Sequence, residues 1–137
     1  MMDAFALWFG RLAVTAFFAI AFLQSAADKW IDSKGNLEFL TGHFGSSPLR
    51  GLVSPMFWGI TVLESVAGAL AAIGVVQILI GAGVAMALWG IVLSVVSLLC
   101  LFFGQRLAKD YAGAVVLASY FAVALLGLML LGYNPGT

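Results

Sequence analysis

The amino-acid sequence predicts an all-α integral membrane four-helix bundle, and three observations predict it. Hydrophobic residues make up 64% of the chain and charged residues 9%, where soluble domains run at about half and about a quarter. The apolar residues fall into runs long enough to cross a bilayer, which takes roughly 20 residues of helix. Those runs are continuous, without the alternating polarity of a transmembrane β-barrel, the other backbone arrangement that satisfies its own hydrogen bonds in lipid. A fold of 137 residues leaves much of its surface exposed, so a mean hydropathy of +1.13 makes lipid the solvent for most side chains.

The first span is expected over residues 4–26, interrupted by Arg11 and Gln24. It reads as a retained helix rather than a signal peptide. The start, Met1-Met2-Asp3, has no basic residue, and the apolar run is longer than a signal's hydrophobic core. The small residues Ser25-Ala26-Ala27 keep cleavage as the alternative. A polar loop over 27–54 follows. Its Asp32-Ser33-Lys34-Gly35-Asn36 is a turn signal, and Leu37, Phe39, Leu40 and Phe44 supply the apolar contacts of a short interfacial helix or hairpin.

From Pro55 to Phe103 the chain carries one charge, Glu64. As a straight helix this stretch would reach roughly 70 Å, against a hydrocarbon core of about 30 Å. It therefore divides into a second span over 55–76 and a third over 83–103, with the turn at Gln77, Gly81 and Gly83. Pro55 suits a first helical turn. A polar connection over 104–110 leads to the fourth span, 111–132, which Tyr133-Asn134-Pro135-Gly136 ends. Residues 1–137 thus form a single four-helix transmembrane domain whose first partner is the lipid bilayer. Trp8, Trp30, Trp58, Tyr111 and Tyr133 lie near span ends, as interfacial aromatics do.

Six basic and six acidic residues balance, so a nucleic-acid partner has no electrostatic support. Cys100 stands alone and forms no internal disulfide. His43 has no second His or Cys, so no metal site is expected. No catalytic or cofactor-binding motif appears, and whether the chain is an enzyme stays open.

Two ionisable residues fall within spans, Arg11 and Glu64. Charge there costs about 2.5–3.5 kcal/mol or more, and such residues usually face the bundle interior and pair. Along antiparallel helices Arg11 lies ~10 Å and Glu64 ~18 Å from the same membrane face, a gap that a guanidinium stem largely covers. They are the candidate intramembrane polar pair, read either as a register lock or as the floor of a pocket. The third reading has Arg11 snorkelling to the surface and Glu64 unpaired. On the opposite face Gln24, Asp28, Lys29, Gln105, Arg106, Lys109 and Asp110 form a candidate interfacial polar cluster, or are ordinary solvated helix ends. Most basic residues lie on that face. The positive-inside rule then places loops 27–54 and 104–110 in the cytoplasm and both termini outside.

The order of features resembles the DoxX family of small four-helix bacterial membrane proteins. The resemblance covers most of the chain. It rests on Arg11-Leu12 early in the first helix, on the exit Ala27-Asp28-Lys29-Trp30, and on Phe44-Gly45-Ser46-Ser47-Pro48-Leu49. Its most specific part is Val62-Leu63-Glu64-Ser65-Val66-Ala67-Gly68-Ala69-Leu70-Ala71-Ala72-Ile73-Gly74, with a Glu, a Gly four residues later and a terminal Gly. The family takes its name from a subunit of a thiosulfate:quinone oxidoreductase, and most members have no assigned activity. The resemblance implies a multi-pass protein of the bacterial inner membrane in a quinone-linked redox setting. The chain departs from common members in lacking a basic residue near Gly81, which bears on orientation. Three functions follow as expectations. One is an accessory or anchoring subunit of a larger respiratory or redox membrane complex. Another is a quinone-binding oxidoreductase component with Arg11 and Glu64 in its pocket, and the last is an oligomeric transporter or pore.

Overall fold

The computed structural model describes residues 3–134; residues 1–2 and 135–137, among them the Pro135-Gly136 expected to end the fourth span, lie outside the described residues. It is all-helical, with five helices: α1 (Ala4–Ile31), α2 (Ser33–His43), α3 (Val53–Leu79), α4 (Ala85–Leu107) and α5 (Tyr111–Gly132). Four of them, α1, α3, α4 and α5, are long and apolar enough to cross a membrane. They alternate in direction, and α1 packs on α3, α3 on α4 and α4 on α5, with α5 returning more lightly to α1.

The helix ends follow from capping chemistry. Asp3 opens α1 by accepting from Phe5 N at 3.0 Å and Ala6 N at 3.2 Å. α1 runs past the expected end at 26 and takes Asp28 and Lys29 into its last turns. Asp32 closes α1 through its own N–H to Asp28 O, and its side chain caps α2 by accepting from Gly35 N. The turn expected over 32–36 is therefore the start of a helix, because the Asp that favours a turn is also a preferred N-cap.

Pro55 sits in the first turn of α3, where its missing N–H costs nothing. The α3–α4 turn falls at the predicted place. Ala82 N donates to Gln77 O at 2.8 Å and Gly81 N to Ile78 O at 3.3 Å, with Gly81 at φ +74°. This is the doubly bonded helix end that needs a left-handed residue just past the cap. Gly83, at φ +101°, delays α4 to Ala85, and Gln77 Oε1 accepts from Met86 N at 3.1 Å to fasten the turn.

α4 also overruns its expected end at 103 and absorbs Gly104 to Leu107. It closes with the same motif, Asp110 N to Gln105 O and Lys109 N to Arg106 O, but here the left-handed residue is Lys109 at φ +59°. A side chain in that conformation costs roughly 1–2 kcal/mol. Lys109→Gly is therefore expected to raise stability by about 0.5–1 kcal/mol, read as a higher unfolding midpoint in detergent; a lower midpoint would contradict it.

The core is built from Phe18, Phe22, Ala67, Ile78, Ala87, Ile91, Leu98, Ala124 and Leu131. Four hydroxyls are fully buried among them, those of Thr15, Thr61, Ser94 and Ser97. Each donates to a carbonyl one turn back on its own helix, at 2.6–2.8 Å, so each is satisfied without water. Outward, Ile20, Val62, Ile73, Val76, Leu99, Val115, Leu126 and Met129 stand exposed along the long helices. Such a surface suits acyl chains.

Candidate functional site: an intramembrane Lys29–Glu64 pair

The buried residues of α1 form a stripe, Thr15, Phe18, Ala19, Phe22 and Ala26. Three residues beyond Ala26 the same stripe reaches Lys29. Side chains on a helix lean toward its N-terminus, so Lys29 reaches back one turn, and its Nζ donates to Ser25 Oγ at 2.8 Å. There it meets Glu64, whose residue is 2% exposed. Nζ stands 2.9 Å from Glu64 Oε1, and Ser25 Oγ donates to Oε2 at 2.9 Å. A lysine near a helix end ordinarily extends outward to water. This one turns inward because the opposite charge is there.

The pair is buried and closed on both oxygens: Oε1 holds the ammonium at 2.9 Å, the distance of a charge-assisted contact, and Oε2 takes the Ser25 hydroxyl. Beside the pair, Trp30 Nε1 donates to Ser65 Oγ at 2.9 Å, and the Trp30 and Trp58 rings lie 5.5 Å apart at the bundle surface. Glu64 stands roughly 16 Å along α3 from its start, well within the span.

Arg11 is not the partner of Glu64, as the spacing had suggested. Its Nε donates to Leu130 O at 2.8 Å, and its Nη2 donates to Tyr133 O. The last carbonyls of a helix lack intrahelical donors and carry the negative end of its dipole. Arg11 therefore closes the C-terminus of α5. The physical reason is register. Trp8 Nε1 donates to Ile78 O at 3.4 Å, which sets Arg11 level with the end of α3. Glu64 lies level with Ser25, some 14 residues further along α1, or ~21 Å. No side chain spans that distance.

The seven-residue polar cluster also divides. Lys29 turns inward, while Gln24 and Asp28 are exposed and form no side-chain hydrogen bond or ion pair among the described residues. Arg106 lies over the Tyr111 ring at 4.7 Å, and Lys109 is exposed. Gln105 and Asp110 do converge, on a residue outside the expected cluster. His43 Nε2 is 3.1 Å from Gln105 Oε1 and 3.4 Å from Asp110 Oδ2. Asp110 uses its other oxygen to cap α5 through Gly113 N at 3.0 Å.

Sequence reasoning missed Lys29 as the partner of Glu64 and His43 as a link between helices. For Lys29 a signal existed, its three-residue spacing from Ala26 and seven from Phe22, readable once α1 is carried to Ile31. For His43 the signal was absent, since nothing local ties it to Gln105. Comparison of the chain with protein-family models, with curated proteins and with solved structures finds no match.

Proposed function

We propose that this chain is an accessory or anchoring subunit of a larger respiratory or redox membrane complex, of the DoxX type, in the bacterial inner membrane. The observation that supports this reading best is how the polar groups inside the bundle are used. The four buried hydroxyls are committed to their own helices. Glu64 is tied to α1 through Lys29 and Ser25, and Arg11 ties α1 to α5. These groups serve cohesion of a rigid apolar unit, which is what an anchor for other subunits requires. On the face bearing α2, Lys34, Arg50, Arg106 and Lys109 are exposed cations, which favours a cytoplasmic location for that face and for soluble partners docked there.

A second reading keeps one specific observation in its favour. Glu64 is a carboxylate only 2% exposed and well within the span, and a quinone-linked component needs a polar group that can hold a hydroxylated head or pass a proton. In that case the residues are Lys29 and Glu64, without Arg11. Gentle purification from native membranes separates the readings. Stoichiometric co-purification of soluble redox subunits is the result expected. Quinone extracted with the isolated chain and lost in Glu64→Gln would replace the anchor with the second reading. Ion flux through liposomes holding the chain alone would sink both and leave an oligomeric pore.

A further inference from the structure

Of the four sides of the bundle, the one made by α1 and α5 is the most loosely closed. Its contacts fall in the half nearer the chain termini. Gly10 lies against Leu130, Val14 against Gly127, and the Phe17 ring 5.8 Å from that of Tyr120. Gln24 and Asp28 follow Phe17 at seven and eleven residues, so they continue the stripe that α1 turns toward α5. Both are nevertheless exposed, as are Ala112, Val116 and Ser119 on α5.

The polar groups on this side lack partners. Gln24 adjoins Ser25, at the level of Glu64, and lies six residues or ~9 Å inward of Trp30. Its amide both donates and accepts, yet among the described residues it bonds to nothing. Tyr120 lies nine residues or ~14 Å inward of Tyr111, partly exposed, and its phenol has no hydrogen bond among the described residues. Polar side chains at such depth ordinarily meet a partner. Nearer the membrane surface stand an anion, Asp28, and a cation, Lys109, both exposed and neither in an ion pair among the described residues. Lys109 also holds the left-handed position that Gly81 fills in the α3–α4 turn. That turn therefore carries strain for a side chain the chain itself does not use.

These four groups match in depth. Val14 is level with Gly127 and the helices are antiparallel, so Gln24 comes level with Leu117 and Asp28 with Gly113. The Tyr120 side chain leans one turn toward the start of α5, which brings it to the level of Gln24. Lys109 is one turn beyond Gly113, within reach of its own stem.

We propose that this side binds a second copy of the chain about a two-fold axis along the membrane normal. Such an axis sets α1 of one protomer against α5 of the other and keeps every group at its own depth. Pairing then requires equal depth, and both pairs meet that condition: Gln24 with the partner's Tyr120, and Asp28 with the partner's Lys109. Each occurs twice. A lipid ammonium would satisfy Asp28 alone, whereas a second copy satisfies all four groups. The dimer leaves the α2 face free and does not depend on any soluble subunit.

The test is energy transfer between donor- and acceptor-labelled full-length chains in liposomes, followed as the protein is diluted with lipid. The unaltered protein should associate as a dimer. Asp28→Lys and Lys109→Asp should each weaken association about ten-fold, because each breaks both symmetry-related pairs and sets like charges together. Mixing donor-labelled Asp28→Lys with acceptor-labelled Lys109→Asp should restore it, since opposite charges then face each other at both places. Both changes suit their local backbone: a cation is favoured near the end of α1, and Asp tolerates the left-handed conformation. If a reversed variant does not fold, Gln24→Leu and Tyr120→Phe carry the test, each expected to weaken association without lowering the unfolding midpoint. Monomers at every dilution would overturn the proposal, as would association that none of these variants weakens. A mixture that associates no better than either reversed variant alone would overturn it too. Monomers that retain an amino lipid, lost in Asp28→Lys, would put lipid in the place of the second copy.

Discussion

Lys29→Met is expected to lower the stability of the bundle by about 3–5 kcal/mol, the cost of leaving a buried charge without its partner. Glu64 is 2% exposed and its other contact is one serine hydroxyl, so little else in the site can compensate the carboxylate. Glu64→Leu should cost a similar amount by stranding the ammonium, less whatever Lys29 recovers by turning outward to water. The double variant Lys29→Met, Glu64→Leu should cost far less than the two single changes added. Removing both charges also removes their desolvation, and replacing a buried pair with apolar side chains of similar size is often neutral. Arg11→Met provides the control. Arg11 is bonded to Leu130 and Tyr133 carbonyls at the other end of α1, so its effect should add to that of Glu64→Leu within about 0.5 kcal/mol. Equilibrium unfolding in mixed micelles reads all of these variants. Additivity between Lys29 and Glu64, or strong coupling between Arg11 and Glu64, would show that the pair assigned here is wrong.

That contrast marks what the sequence makes legible. The four membrane-crossing helices and the turn around Gly81 could be read directly, because hydropathy and left-handed turn residues act locally and each segment carries its own signal. That Glu64 needs a partner was also legible, since charge in lipid is costly wherever it stands. Which partner it takes was not. That choice depends on the register of α1 against α3 and on α1 continuing to Ile31, and both are set by packing between segments far apart in sequence. The same limit hid His43. Its contact with Gln105 spans 62 residues and exists only because α2 folds across the bundle end. The stretch 32–36 failed for a different reason, since Asp and Asn signal turns and helix starts through the same side-chain hydrogen bonds.

At Gly74 and Gly90 the backbones of α3 and α4 come into direct contact, and the sign of its effect on stability can be checked within one helix. In lipid no hydrophobic effect drives helices together, so α3 and α4 must gain their association from close packing. They do so through a reciprocal pair of contacts. A Cβ added at Gly74 would lie 2.5 Å from Ala87 Cα, and one added at Gly90 would lie 2.7 Å from Ala71 N. Both clashes are with backbone, so neither is relieved by a side-chain rotation. Gly74→Ala must push the two helices apart along a shared seam. Overpacking of this kind costs about 1–3 kcal/mol, more than the ~1 kcal/mol that alanine gains over glycine in a helix interior. Gly59 lies in the same helix with nothing within 4 Å of an added Cβ, so there the propensity gain acts unopposed. Gly74→Ala should therefore lower the unfolding midpoint and Gly59→Ala should raise it. A shift in the same direction for both would mean that α3 and α4 do not meet at Gly74. The seam that aligns Glu64 with the rest of the bundle would then have to be redrawn.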